Sequence, residues 1–138
     1  MLWHRSGAFA VPDLAGSGRD FGAWTRVKIN GAQIAFGSQD GGVIAVRSWC
    51  DEDQQPLDIE SRHLWLGLPL EGRERRRIQV AGVPAIETLG SSSGVRIQTV
   101  VVEAGNCTVD LAYAVPEDQP RGSAFESFLV GVRVRQEP

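Results

Sequence analysis

An Asn30-Gly31 pair stands between two runs of alternating residues, and no other feature of the chain limits its fold as tightly. Before the pair, Thr25, Val27 and Ile29 share one face of an extended segment, with Arg26 and Lys28 on the other; after it, Ala32, Ile34 and Phe36 resume the alternation. Period-two patterning marks a half-buried strand, and Asn-Gly accepts the positive φ of the tight turn that joins antiparallel strands. Residues 24–37 are therefore predicted to form a hairpin. Gly105-Asn106 is a second such signal, with Gly where a type II′ turn needs positive φ. If Ala104 faces Cys107, then Val102 faces Val109, Val100 faces Leu111 and Gln98 faces Tyr113; a slip of one residue would bring Asp110 onto that apolar face.

Further strands follow from the same period. GSQDGG at 37–42 reads as a turn, and in the segment after it Val43 and Ala45 face one way while Ile44 and Val46 face the other. A strand apolar on both sides belongs inside a sheet that is covered on two faces. From Arg73 to Val115 the pattern is strand and turn throughout. The period changes twice. Leu57, Ser61, Leu64, Trp65 and Leu68 make a stripe at helical spacing, opened by Pro56, Asp58 and Glu60 and closed by Gly67 and Pro69, which predicts a helix over 56–68. Ser123-Ala124-Phe125-Glu126 has the form of a capping box, and Ala124, Phe125, Phe128, Leu129 and Val132 continue it as an apolar stripe. The order is strands, helix, strands, helix. It predicts an α+β fold, a central antiparallel β-sheet flanked by helices that serve its two apolar faces.

At 138 residues and 15.0 kDa the chain suits one domain spanning 1–138, with loose ends at about 1–8 and 134–138. Charges of 14 − 17 = −3 and a pI near 5.4 argue against a broad electrostatic grip on nucleic acid. Lys28 is the one lysine among the 14 basic residues. No apolar run approaches a membrane span, and the opening MLWHRSGAFAVP lacks the apolar core of a secretory signal, so the chain as written reads as cytoplasmic; a trimmed leader would make it periplasmic or envelope-associated.

Few residues offer chemistry. Cys50 and Cys107 are not spaced as a metal or redox motif. Each suits a small buried hydrophobe, and a single disulfide between them is geometrically allowed if their strands are neighbours. His4 and His63 are the imidazoles. His63 follows Glu60 by three residues, the spacing of a solvated helix pair; Ser61 falls on another side of that helix, which is wrong for an activated nucleophile. Asp51, Glu52 and Asp53 lack the calcium-loop pattern, Asn106-Cys107-Thr108 matches a glycosylation sequon inside a tight hairpin, and the glycine clusters at 37–42 and 90–94 lack the residues of a phosphate loop. No metal or cofactor set emerges. Arg73, Arg75, Arg76 and Arg77 form the basic cluster, read either as a charged strand edge that discourages strand addition or as a docking patch for an acidic partner. Of the four tryptophans, Trp24, Trp49 and Trp65 sit in predicted elements, whereas Trp3 sits in the loose N-terminal stretch, where an aromatic residue is either disordered or pinned into a partner as an interface anchor.

Taken together, AFAVP, WTRVKINGAQIAF, RHLWLGL, IQVAGVPAIET, TVVVEAGNCTVDLAYAVP and AFESFLVGV, spread over residues 8–132, resemble bacterial proteins of the PsbP/MOG1-like superfamily. The local matches are the VAG-x-PA turn at 80–85 and the passage from VPED to AFESF. The resemblance implies an α/β/α sandwich. It also implies non-enzymatic work of the kind done by accessory subunits of photosynthetic complexes, a Ran-binding factor, envelope lipoproteins and Eag-type effector chaperones. The chain departs from the lipoprotein members at LAGSG, residues 14–18, where Ser17 stands in place of a lipobox cysteine, and no site is carried over. The expectation is a non-catalytic protein-binding domain, an accessory or assembly subunit of a larger bacterial complex, meeting its partner through Trp3, Arg73, Arg75 and Arg77. Two alternatives stand beside it: a chaperone or carrier cradling an apolar helix or lipid, and a small hydrolase built around His63.

Overall fold

The computed structural model describes residues 1–4, 6–17, 24–29, 32–39, 41–50, 64–65, 68–69, 71–105, 107–119 and 123–135. Most of the described residues lie in strands. In chain order the elements are β1 (Leu2–Trp3), β2 (Phe9–Val11), α1 (Leu14–Ser17), β3 (Trp24–Arg26), β4 (Ile34–Ser38), β5 (Val43–Cys50), β6 (Leu64–Trp65), β7 (Leu68–Pro69), β8 (Glu71–Val80), β9 (Val83–Ser92), β10 (Val95–Ala104), β11 (Cys107–Pro116), α2 (Ala124–Gly131) and β12 (Arg133–Val134). They form a seven-stranded antiparallel sheet in the order β3-β4-β5-β11-β10-β9-β8, a three-stranded sheet β1-β2-β12 and the pair β6-β7.

The four strands β8 to β11 are each ten residues long and make an uninterrupted meander. Two-residue turns join them, because Val80 pairs with Val83 and Ser92 with Val95. Ala81 and Gly82 have φ of 53° and 77°, Ser93 and Gly94 of 51° and 81°. Positive φ at both central positions gives the turn whose twist matches that of the strands it joins. Gly105 has φ 63°, as its turn was predicted to need. The β10–β11 register is the predicted one, with Ala104 opposite Cys107, Val102 opposite Val109, Val100 opposite Leu111 and Gln98 opposite Tyr113.

The first hairpin also forms, with Trp24 opposite Ser38 and Arg26 opposite Phe36. Asn30 and Gly31 lie outside the described residues; beside them the Ala32 N–H donates to the Ile29 carbonyl at 3.0 Å. As its double-sided apolar pattern requires, β5 lies between β4 and β11 with Ile44, Ala45 and Val46 buried.

Alternation gives the sheet two unlike faces. On the first, Phe36, Ile44, Val46, Val100, Val102, Val109 and Leu111 pack with Phe9 and Val11 of β2, Leu14 of α1, and Phe125 and Phe128 of α2. Full burial of each large side chain is worth about 1.5–3 kcal/mol before entropy is subtracted. On the second face sit the small side chains Ala35, Ala45 and Ala112. Beside them is a buried ion pair: the register places Arg47 opposite Asp110, and its Nε and Nη2 lie 3.0 and 2.9 Å from Asp110 Oδ2.

Both ends of the described chain meet in the small sheet, where Trp3 and Arg133 flank Ala10 from opposite sides. α2 turns into β12 close against Pro12; a methyl group on Gly131 would lie 2.5 Å from Pro12 Cγ, so this approach needs glycine.

This architecture overturns the α+β expectation, and with it the α/β/α sandwich that the PsbP/MOG1-like resemblance implied. The first face is covered by β2, the four-residue α1 and the eight-residue α2, which do not amount to a helical layer. The helix predicted over 56–68 lies largely outside the described residues, and where its end is described, Leu64–Trp65 and Leu68–Pro69 are paired antiparallel strands. A short continuous apolar run such as LWLGLP satisfies helical and extended periods equally, so its spacing could not decide between them. The stretch 1–8, expected to be loose, holds β1. The C-terminal helix forms, but Ser123 has φ −113° and ψ 7° and its side chain makes no capping bond. That conformation lies outside the extended region from which an N-cap hydroxyl reaches the free N–H groups; instead, the Ser123 carbonyl accepts the Ser127 N–H at 3.0 Å. No helix among the described residues is long and apolar enough to cross a membrane.

Candidate functional site

The seam between the two larger sheets gathers the groups with chemistry. Because β5 and β11 pair with Cys50 opposite Cys107, the two sulfurs meet on the first face and form a disulfide that joins residues 57 apart in sequence. Both cysteines are buried. The link β1–β2 folds over this end of the sheet. The His4 N–H donates to the Phe9 carbonyl at 2.9 Å, the Gly7 N–H to the His4 carbonyl at 2.8 Å, and the His4 ring stacks on Phe9 with centroids 4.7 Å apart. Thus β1 and β2 carry an imidazole from the N-terminal arm to the bridge. One nitrogen of His4 and the two sulfurs lie within 4.8 Å of one another.

Two serines orient the ring. Ser6 donates its backbone N–H to His4 Nδ1 at 3.2 Å and its hydroxyl lies 2.8 Å from the same nitrogen. Accepting the backbone N–H makes Nδ1 the unprotonated nitrogen, so Nε2 carries the hydrogen. Nε2 lies 3.3 Å from Ser48 Oγ, which in turn donates to Gln33 Oε1 at 2.5 Å. Ser6 Oγ, the neighbour of Nδ1, is also 3.7 Å from Cys107 Sγ.

Beside His4, a cavity of about 250 Å³ opens between β1 and the β4–β5 edge, lined by Leu2, Trp3, His4, Phe9, Gln33, Ile34 and Val46. Trp3 stands on its rim, 57% exposed, although its backbone is fixed by pairing with Ala10. A broader groove of about 770 Å³ runs along β3–β4 past Val27, Ile29, Ala32 and Ala35, with Arg26 and Lys28 at its margin.

The arginine cluster lies on β8, one of the two edge strands of the seven-stranded sheet among the described residues. Arg75 and Arg77 face out together opposite Thr88 and Ile86, and both are exposed. Arg76 points to the other face, where its Nε donates to Glu87 Oε1 at 2.6 Å; Gln98 Nε2 donates to Glu87 Oε2 at 2.8 Å. Glu87 is buried, so this arginine serves the fold. Arg73 stands in the same strand, its side chain outside what the structure describes. The fold therefore keeps Trp3 and the arginines apart, on opposite flanks of the large sheet. His63, Glu60, Ser61 and the acidic run 51–53 lie outside the described residues.

Sequence reasoning missed the His4–Ser6–Ser48 group and the Arg47–Asp110 pair. A signal for the pair existed. Setting Cys50 opposite Cys107 and counting three residues away along each strand brings Arg47 opposite Asp110, two opposite charges on the reverse face. For His4, separated from the cysteines by dozens of residues, spacing offers no comparable sign.

No family model and no curated protein matches the chain. A crystal structure from Bacteroides thetaiotaomicron VPI-5482 is similar in fold, with a TM-score of 0.59 at 11% identity over 97% of this chain. This chain spans about half of that one, 47% of its length. The likeness is one of fold alone.

Proposed function

We propose that this chain is a non-catalytic protein-binding domain, an accessory or assembly subunit of a larger bacterial complex. The observation that carries the reading is Trp3, a large aromatic side chain held in the open on a paired strand above an apolar cavity. A fixed backbone lowers the ordering cost of binding, and tryptophan beside a desolvating pocket is the usual form of an interface hot spot. The partner inserts an aliphatic or aromatic side chain between Trp3 and Ile34. The Arg75–Arg77 pair on the far edge adds attraction for an acidic surface. The disulfide favours work in an oxidising compartment, such as the periplasm or envelope.

The test is a photo-crosslinking residue in place of Trp3 and, separately, in place of Val130, which is also exposed. In native extract, position 3 is expected to give one discrete adduct and position 130 none, and Trp3→Ser is expected to lose the hetero-complex. Equal labelling at both positions, or purification of free chain alone, counts against the reading. The β3–β4 groove supports a second one, a carrier cradling an apolar helix. That reading requires a bound peptide or lipid to co-purify, and native mass spectrometry would detect it.

A further inference from the structure

We propose that in its dithiol form this chain binds a soft divalent cation such as zinc through Cys50 Sγ, Cys107 Sγ and His4 Nδ1, and that the disulfide is the closed, metal-free state of the same site. The inference is independent of the docking reading. Two thiolates and an imidazole are the donor set that zinc selects, and with three protein donors the fourth position is left to water or to the Ser6 hydroxyl. The spacing fits. Tetrahedral zinc with bonds of about 2.0–2.3 Å needs donors roughly 3.5–3.8 Å apart. Here one His4 nitrogen and the two sulfurs lie within 4.8 Å of one another, so opening the bridge and moving the imidazole by about an ångström suffices.

The surroundings fit as well. A ligating histidine is normally oriented through its other ring nitrogen, and here Nε2–H already points to Ser48 Oγ, itself anchored on Gln33. Nδ1 binds the ion once the Ser6 backbone N–H and hydroxyl, which now share its lone pair, both withdraw and the ion takes their place. The cysteines are buried, yet His4 forms a wall of the cavity beneath Trp3, and this is an entry path for the ion. The chemistry balances. A dithiol reductant supplies two electrons and two protons to the Cys50–Cys107 bond and becomes a disulfide itself; metal binding then releases the two thiol protons to solvent.

The experiment titrates the full chain with cobalt(II), the spectroscopic stand-in for zinc, after reduction with a phosphine and its removal. The reduced chain is expected to show a thiolate-to-cobalt charge-transfer band that saturates at one ion per chain and is displaced by zinc, while the disulfide form shows none. His4→Ala is expected to weaken binding at least about tenfold, and Cys50→Ser with Cys107→Ser to abolish it. Where the reduced chain unfolds, zinc is expected to restore its far-ultraviolet circular dichroism, and to fail to do so in His4→Ala. Absence of the band in the reduced wild type, equal affinity in His4→Ala, or a reduced chain that zinc cannot refold overturns the proposal.

Discussion

The β8–β11 meander and the β5–β11 junction are built on the same sheet but held by different means. In the meander every strand is next to its sequence neighbour, and three turns of two residues set the registers, with one shift between Glu71 and Glu74 at the far end of β8. At the junction, β11 meets a strand far back in the chain, and no turn sets the register. Two side-chain devices pin it instead, three residues apart and on opposite faces: the Cys50–Cys107 bridge on the first and the Arg47–Asp110 pair on the second. Local pairing needs turn chemistry, whereas distant pairing needs partners that recognise each other across the sheet.

The largest expected effect breaks the junction. Asp110→Ala leaves the Arg47 charge buried without its carboxylate and is expected to cost about 3–5 kcal/mol in urea denaturation, while the double change Arg47→Met with Asp110→Leu regains most of that loss. Replacing both cysteines by serine removes the other pin and is expected to cost about 2–4 kcal/mol, since the closed loop is long. Gly131→Ala forces the end of α2 away from Pro12 and is expected to cost about 1–3 kcal/mol, lowering the melting temperature. The smallest change runs the other way and tests the meander. Ala81 holds φ 53°, so Ala81→Gly relieves a left-handed residue and is expected to raise stability by up to about 1 kcal/mol, less the entropy that glycine adds to the unfolded chain.

The same contrast sets how much of the structure the sequence disclosed. The Gly105 turn and the β10–β11 register were legible, because a hairpin is specified within its own stretch of chain, here Val95–Pro116. So was the burial of β5. The helical cladding was misjudged, since an apolar run like LWLGLP carries no period of its own, and since AFESFLVGV makes only eight residues of helix. The terminal sheet was invisible: Leu2, Trp3 and Val134 are ordinary residues at both ends of the chain, and only folding reveals that they flank Phe9–Val11. The seam shared that fate. Apart from the Cys50–Cys107 bridge, which the sequence allowed if the two strands were neighbours, its histidine and serines are scattered over positions 4 to 48, across which spacing has no meaning, and the Arg47–Asp110 pair, also missed, is three residues along each strand from that bridge.

Native-state hydrogen exchange of the disulfide and dithiol forms, resolved by strand, tests the division into locally and distantly specified regions most directly. Reduction is expected to lower protection in β1, β2 and the cysteine ends of β5 and β11 while β8, β9 and the β9-facing amides of β10 keep theirs. Uniform loss of protection across all strands, or no change near Cys50 and Cys107, would contradict it.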